Sequence, residues 1–136
     1  MYPAEIVKPM REDLSLHGFK ELFTTEEVNQ SINSEGTVLV VVNSVCGCAA
    51  ANARPGAKMS LLNDKKPDHL TTVFAGVDFE AVDAARSAMV PFPPSSPSMA
   101  LFKNGELVHM LERHHIEGRS ADMIAANLKS AYDEFC

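Results

Sequence analysis

The chain has 136 residues, of which 46% are hydrophobic and 22% are charged, and it carries a formal net charge of −6. This size and composition fit one globular domain, residues 1–136, with a hydrophobic core of its own. The acidic balance argues against nucleic acid and anionic membranes as partners. No apolar run approaches the ~20 residues of a membrane-spanning helix, and the N-terminus lacks the features of a signal peptide, so we expect a cytoplasmic protein.

The first 36 residues show helical patterns and predict a helical N-terminal extension, residues 1–36. An apolar face that repeats every four residues predicts the first helix, and its members are Ile6, Met10 and Leu14. The second helix begins near Thr24, because Thr24 and Glu27 have the spacing of a capping box. In that motif the two side chains satisfy each other's backbone N–H groups.

Strand and helix patterns then alternate along the chain. The β-branched run at 37–42 shows no polar alternation, which is typical of a central strand covered on both faces. Asp78 is expected to cap a helix, and Asn104-Gly105 is a strong hairpin signal between two short strands. Phe92 is expected in the core and Arg54 on a helix surface. The predicted strands are 37–42, 70–75, 98–103 and 106–111, and the predicted helices are 46–62, 78–89 and one starting at 120.

Cys46 and Cys48 carry the most informative chemistry in the sequence. They are separated by one residue and lie where the apolar strand gives way to a helix-forming segment, 49–54. Backbone N–H groups at a helix start are unpaired and form the positive end of the helix dipole, so they stabilise a thiolate. A thiolate is the nucleophile in disulfide exchange, and a second thiol within reach can release a mixed disulfide. The pattern therefore predicts thiol–disulfide chemistry.

The order of elements gives the expected fold class. Two helices, a βαβα unit, a β-hairpin and a last helix resemble the thioredoxin arrangement, an α/β fold with three α/β/α layers and a mixed central sheet. The segment 96–106, which begins Ser96-Pro97 and runs into the hairpin, is similar to the stretch in which thioredoxins place a cis-proline beside their cysteines. The resemblance implies that the peptide bond before Pro97 is cis and that Pro97 faces Cys46.

Longer motifs narrow this resemblance. The sequence reads Asn43-Ser44-Val45-Cys46-Gly47-Cys48 at the cysteines, Pro93-Pro94-Ser95-Ser96-Pro97 before the hairpin and Arg113-His114-His115-Ile116-Glu117 after it. Together these motifs resemble the bacilliredoxin family over nearly the whole chain. The resemblance implies a thiol–disulfide oxidoreductase that removes bacillithiol from mixed disulfides on proteins, with bacillithiol as co-substrate and no resident cofactor. Cys46 would attack and carry the bacillithiol, and Cys48 or a separate thiol would resolve it.

The residues expected to contact the substrate lie in the same motifs and are Gly47, Ser96, Pro97, Arg113 and His114. Gly47 can adopt the backbone angles that a disulfide with one intervening residue requires. A cation at Arg113 or His114 would lower the pKa of the thiol and hold the carboxylates of bacillithiol. Solvated loop residues are the alternative interpretation of that pair. The strand 38–42 contains no acid, unlike its thioredoxin counterpart, so the proton must pass to water or to another side chain.

Other interpretations of the two cysteines remain open at this stage. A metal or cluster site needs further ligands, and Cys136, His114 and His115 show no metal-binding spacing, so we predict no metal. A protein disulfide isomerase or a redox sensor would use the same pair, Cys46 and Cys48. Cys136 is interpreted as a thiol on the chain end, with a role as a third thiol in resolution or dimer formation as the alternative.

Overall fold

A mixed sheet of five strands forms the middle layer of the structure, a computed structural model that describes residues 2–136. The strands are β1 Lys20–Glu21, β2 Thr37–Asn43, β3 His69–Phe74, β4 Ser98–Lys103 and β5 Glu106–Leu111. Their order across the sheet is β1-β3-β2-β4-β5. β1 and β2 run parallel to β3, whereas β4 is antiparallel to both β2 and β5.

Helices cover both faces of this sheet. The helices on one face are α1 Ala4–Ser15, α3 Arg54–Ser60 and α6 Ala121–Phe135. Those on the other face are α2 Thr25–Ile32 and α4 Phe79–Ala88. A short helix, α5 Arg113–Ile116, follows β5. The three α/β/α layers confirm the predicted fold class, and no helix within residues 2–136 combines the length and apolar character needed to cross a bilayer.

Strand β2 lies at the centre of the sheet and leads directly to the cysteines. All seven of its residues are buried, because β3 and β4 flank it and helices cover both of its faces. Such a strand needs apolar side chains on both faces, and the run Val38–Val42 supplies them. The prediction of a central strand is confirmed, and the loop after Asn43 therefore starts from a rigid position.

Two local sequence signals predicted the backbone correctly. The Thr24 hydroxyl accepts a hydrogen bond from the Glu27 N–H, and the Glu27 carboxylate accepts one from the Thr24 N–H. Asn104 and Gly105 have φ values of 50° and 84°, the left-handed conformation that the two-residue turn between β4 and β5 requires. Both signals act over a few residues of sequence, and Asn104 also exchanges two hydrogen bonds with Gly36.

The first 36 residues differ from the predicted helical extension. The segment contributes β1, which pairs with β3 at the sheet edge, and its helix α2 packs against α4. Only α1 precedes the first strand, and it too packs on one face of the sheet. The buried side chains of α1 are Val7 and Leu14, whereas Ile6 is 49% exposed, so the buried face is rotated from the predicted one.

Two further side chains depart from expectation. Asp78 precedes α4 but makes no side-chain cap, because its carboxylate accepts two hydrogen bonds from Arg11 of α1. Phe92 is 37% exposed in the proline-rich loop rather than part of the core. The local pattern failed for Asp78 because Arg11 is a tertiary partner of its carboxylate. It failed for Phe92 because the loop leaves this side chain partly exposed.

The helix after the cysteines is divided into two parts. A π-helical turn, Ala49–Ala53, precedes α3, which has Pro55 in its first turn. Pro55 has no backbone N–H, so the regular hydrogen-bond ladder is interrupted at this point. Gly56 then meets α6: a Cβ atom there would lie 2.6 Å from Cγ2 of Ile124, so only glycine permits this close approach. π-Turns of this kind are frequent at functional sites.

Candidate active site

Cys46 and Cys48 lie on the turn that joins β2 to the π-helical turn. The Cys46 N–H donates to the Ser44 hydroxyl at 2.9 Å, and the Cys46 carbonyl accepts from the Ala49 N–H at 2.9 Å. Both cysteines are half-buried, and their sulfur atoms are 2.6 Å apart. The turn therefore holds two thiols in contact at the protein surface, at the end of the most buried strand.

The environment separates the pKa values of the two thiols. The pKa of Cys46 is lowered, chiefly by a hydrogen bond from the Cys48 side chain, then by the backbone N–H of Cys48, the positive charge of Arg113 and the Ala49 N–H. The pKa of Cys48 is raised, first by burial and then by its hydrogen bond and proximity to Cys46. These directions favour Cys46 over Cys48 as the thiolate, in line with the prediction that Cys46 is the nucleophile.

Arg113 connects the nucleophile to two other segments. Its Nη2 lies 3.4 Å from the Cys46 sulfur, its Nη1 lies 3.4 Å from the Ser96 carbonyl oxygen, and its Nε donates to Glu117 at 3.0 Å. The predicted residues Arg113, Ser96 and Cys46 are therefore in direct contact. Glu117 was not among the predicted site residues, although its position four residues after Arg113 on a helical segment is a recognisable ion-pair spacing.

The loop before β4 is the second wall of the site. The Ser96–Pro97 peptide bond is cis, as predicted, and so is the bond between Val90 and Pro91. Pro97 is buried and Ser96 is half-buried. Antiparallel pairing places Ser98 opposite Val42, so Pro97 lies beside the end of β2, close to the cysteine turn.

The remaining predicted residues, Gly47 and His114, are the most exposed part of the site. The φ angle of Gly47 lies outside the left-handed region, and a Cβ atom there would meet nothing within 4 Å. The expected demand for glycine's backbone freedom is therefore not seen in this form. The side chain of His114 is 69% exposed and lies 3.9 Å from the Glu112 carboxylate. Whether these residues contact a substrate stays a prediction.

A buried arginine beneath the turn was missed. Arg54, expected on a helix surface, is only 5% exposed. Its Nη1 donates to the Asn43 side-chain oxygen at 2.9 Å and to the Ser44 carbonyl at 3.1 Å, and its Nε donates to Asp13 of α1 at 2.9 Å. The polar pair Asn43-Ser44 directly after an apolar strand is the signal that could have suggested a buried partner.

Two alternative interpretations of the cysteines, a metal site and a third thiol at Cys136, can be compared with the geometry. Within residues 2–136, neither Cys46 nor Cys48 belongs to a group of three side chains positioned to bind a metal. Cys136 is beside Thr37, which begins β2, whereas Cys46 follows the end of that strand. Seven residues of strand span about 20 Å, so Cys136 cannot reach Cys46 within one molecule. Its predicted position on the chain end is consistent with its exposure.

Comparison with known proteins now adds to this geometry. The sequence model of a family described as disulphide isomerase matches residues 2–136. A bacilliredoxin of Cytophaga hutchinsonii is 59% identical over 134 residues, covering 98% of this chain and 99% of that protein. A bacilliredoxin of Halalkalibacterium halodurans is 56% identical over 136 residues, covering 99% of this chain and 94% of that protein. The chain belongs to the bacilliredoxin family.

Solved structures support the fold of this bacilliredoxin family member. Thioredoxin O2 of Arabidopsis thaliana gives a TM-score of 0.60 at 15% identity and covers 86% of this chain and 96% of its own. A mutant thioredoxin of Halobacterium salinarum gives 0.59 at 17% identity, covering 88% and 91%. Family membership and the paired thiols of Cys46 and Cys48 identify the protein as a thiol–disulfide oxidoreductase that acts by exchange with thiol and disulfide partners.

Proposed function

We propose that this protein removes bacillithiol from proteins that carry it as a mixed disulfide. The observation that carries the proposal is the contact of the Cys46 sulfur with both Cys48 and the Arg113 guanidinium. Arg113 is exposed and lies within reach of the Ser96 carbonyl, so a guanidinium faces solvent directly beside the nucleophile. Bacillithiol bears carboxylates, and a guanidinium is the side chain best suited to bind them.

The first step transfers bacillithiol to Cys46. The Cys46 thiolate attacks the bacillithiol sulfur of the mixed disulfide, the original S–S bond breaks, and the client protein leaves as a thiolate that takes a proton from water. A new disulfide between Cys46 and bacillithiol remains. A lowered pKa favours this role because it makes the thiolate available near neutral pH.

The second step releases bacillithiol. Cys48 loses its proton to water or another side chain and attacks the Cys46 sulfur; bacillithiol leaves as a thiolate, and Cys46 and Cys48 become a disulfide that an external thiol then reduces. Burial raises the pKa of Cys48 and so disfavours the thiolate that this step requires. A second bacillithiol can attack in its place, which yields oxidised bacillithiol and the free enzyme.

The proposed substrate contacts surround this pair of sulfurs. Arg113 and His114 would bind the carboxylates, and the backbone of Ser96 and Pro97 would lie along the client protein. The open space over Gly47 supports the approach of a bulky disulfide. Several expectations stay predictions from the sequence. These are a cytoplasmic location, clients that carry bacillithiol as a mixed disulfide, and the absence of nucleic-acid, membrane and cofactor partners.

Mass spectrometry of a bacillithiolated model protein mixed with the enzyme tests the proposal. We expect the bacillithiol adduct on Cys46, accumulation of that adduct in Cys48→Ala, and no transfer in Cys46→Ala. Cys136→Ala is the matched control, because it removes a thiol at the other end of β2, and it should behave as wild type. If the model protein keeps its bacillithiol in the presence of wild type and of Cys48→Ala, the proposal is wrong.

Disulfide isomerase activity is a second candidate, favoured by the description of the family whose model matches residues 2–136. The same Cys46 thiolate would attack a non-native protein disulfide, and the freed protein thiol would re-form a different pair. Reactivation of a scrambled disulfide protein, measured without any bacillithiol, distinguishes the two. Reactivation that depends on Cys46 supports isomerase activity. The absence of reactivation supports a role confined to disulfides between proteins and small thiols.

A further inference from the structure

A second group of side chains stands close to the active site, and only His114 among them has a part in the proposed exchange. Glu112 ends the connection from β5, and His114 and His115 lie on α5. One ligand atom from each of the three residues can be chosen such that all lie within 4.8 Å of one another. His114 Nε2 is 3.9 Å from a Glu112 carboxylate oxygen, and the two imidazole rings have centroids 4.0 Å apart.

This geometry is close to that of a bound transition-metal ion. Zinc binds imidazole nitrogen and carboxylate oxygen at about 2.0–2.2 Å, which separates neighbouring ligand atoms by roughly 3.3 Å. The 3.9 Å between His114 Nε2 and a Glu112 carboxylate oxygen exceeds that separation by about 0.6 Å, and the His114 side chain that must close this gap is exposed. The Glu112 carboxylate, by contrast, is 14% exposed and held in place by its hydrogen bond with the His115 N–H.

The charges around the group also favour a cation. Within residues 2–136, neither lysine nor arginine forms an ion pair with Glu112. Arg113 lies between the ligands in sequence, but its guanidinium is directed to Glu117 and Cys46 instead. The carboxylate of Glu112 is therefore available to neutralise part of the charge of a divalent ion.

We propose that Glu112, His114 and His115 form a binding site for a divalent transition-metal ion of the zinc, nickel or copper type. Two imidazoles select such ions over magnesium and calcium, which prefer all-oxygen ligands. His115 Nδ1 accepts a hydrogen bond from the Glu112 N–H at 3.1 Å. Coordination through either ring nitrogen sacrifices that bond, so we expect weaker binding than at a tight structural centre.

The position of the site gives it a connection to the redox chemistry. The helix α5 carries His114 and His115 and also Arg113, whose guanidinium touches the Cys46 sulfur. A metal ion bound at this site would place a double positive charge beside the Arg113 guanidinium, which contacts the Cys46 sulfur. This inference does not depend on bacillithiol as the substrate, since the three ligands are separate from the cysteines.

Metal binding is measured on the full chain with all three cysteines replaced by serine, so that no thiol competes for the ion. We expect saturable binding of one Zn²⁺ per chain by calorimetry, weakened about tenfold or more by His114→Ala. His17→Ala is the matched control, because it removes another exposed histidine outside the group, and it should leave the affinity unchanged. Electron paramagnetic resonance of bound Cu²⁺ should show two imidazole nitrogens, reduced to one by His114→Ala.

Three outcomes would overturn the proposal. These are no saturable Zn²⁺ binding below millimolar concentration, equal affinity in the chain with and without His114, and an equal loss of affinity in His17→Ala. His114 is exposed, so its replacement is not expected to disturb folding, and circular dichroism confirms that each variant is folded. A separate variant, Glu112→Gln, keeps both histidines and should also weaken Zn²⁺ binding, since it removes the anionic ligand.

Discussion

Two arginines approach the cysteine turn from opposite sides, and they differ in almost every physical respect. Arg113 is exposed, lies on a short helix after β5 and contacts the Cys46 sulfur itself. Arg54 is buried, lies beneath the turn and contacts Asn43 and the Ser44 carbonyl instead of either sulfur. We infer that one kind of side chain serves two separate purposes here: Arg54 supports the backbone beneath the turn, and Arg113 places a positive charge beside the Cys46 sulfur.

The partners of each arginine explain this division. The charge of Arg54 is matched by Asp13 of α1, which also accepts from Lys58 at 2.5 Å, so the network ties α1 and α3 to the end of β2. Arg113 shares its charge between Glu117 and Cys46 in contact with solvent. Buried polar groups are costly when a partner is lost, whereas exposed ones are screened by water.

The largest expected effect is on stability, from replacement of the buried arginine. Arg54→Met leaves the Ser44 carbonyl without its side-chain donor and Asp13 with Lys58 alone, and we expect it to lower the free energy of unfolding by about 3 kcal/mol. Urea unfolding followed by circular dichroism measures the change. Arg113→Met is the matched variant and should unfold at the wild-type urea concentration. Equal loss of stability in both variants would contradict the division of roles.

Arg113 should instead control the reactivity of Cys46. Its positive charge contributes to the lowered pKa of this thiol, so Arg113→Gln should raise that pKa and slow alkylation severalfold at neutral pH. Because the thiolate is the reactive form, the midpoint of the alkylation rate against pH should move upward. The measurement is made in the Cys48→Ser, Cys136→Ser background, with Arg119→Gln as a control that removes a nearby exposed charge. An unchanged midpoint in Arg113→Gln would exclude its role in activation.

Acid should weaken the hydrogen-bond network that joins Arg54 and Lys58 to Asp13, because Asp13 becomes protonated. Burial opposes ionisation of Asp13, but hydrogen bonds from Lys58 and Arg54 outweigh it, so the net effect lowers its pKa. A carboxylate with a lowered pKa contributes stability above its unfolded-state pKa, and that stability is lost as the pH falls through the folded-state value. Between neutral and strongly acidic pH, the free energy of unfolding of Asp13→Asn should therefore fall by about 1 kcal/mol less than that of wild type. Urea unfolding at several pH values tests this, and identical acid sensitivity would contradict it.

The smallest effect should come from Lys58. The side chains of Lys58 and Asp13 are 27% and 31% exposed. Pairs of this kind contribute roughly 0.5 kcal/mol, so Lys58→Met should reduce stability far less than Arg54→Met. The difference between the two variants, measured in the same urea experiment, isolates the contribution of burial. A loss in Lys58→Met as large as that in Arg54→Met would show that charge alone sustains the network.

Much of the fold could be predicted because its signals are local. The capping box of Thr24 and Glu27, the Asn104-Gly105 turn and the aliphatic run of β2 each specify their own conformation within a few residues. The two-residue strand β1 could not be predicted, because Lys20 and Glu21 pair with β3 through tertiary contacts and carry no strand pattern of their own.

The site divides in the same way. Resemblance to a known family pointed to Cys46, Ser96 and Arg113, and the structure brings these three together. Arg54 was assigned to the surface because long charged side chains are usually exposed. Its burial depends on Asp13, which is 41 residues away in the sequence, and no pattern within α3 reports such a partner.

The position of Cys136 has a consequence for oxidised forms of this protein. Cys46 and Cys136 stand at opposite ends of β2, about 20 Å apart. A disulfide between them must therefore join two different molecules, head to tail, and each product still offers a free thiol at both ends. Repetition of this link is heterologous, so it builds open chains wherever the arrangement does not close into a ring or a reciprocal pair. Severe oxidation would thus link molecules of this protein into polymers that a reductant takes apart.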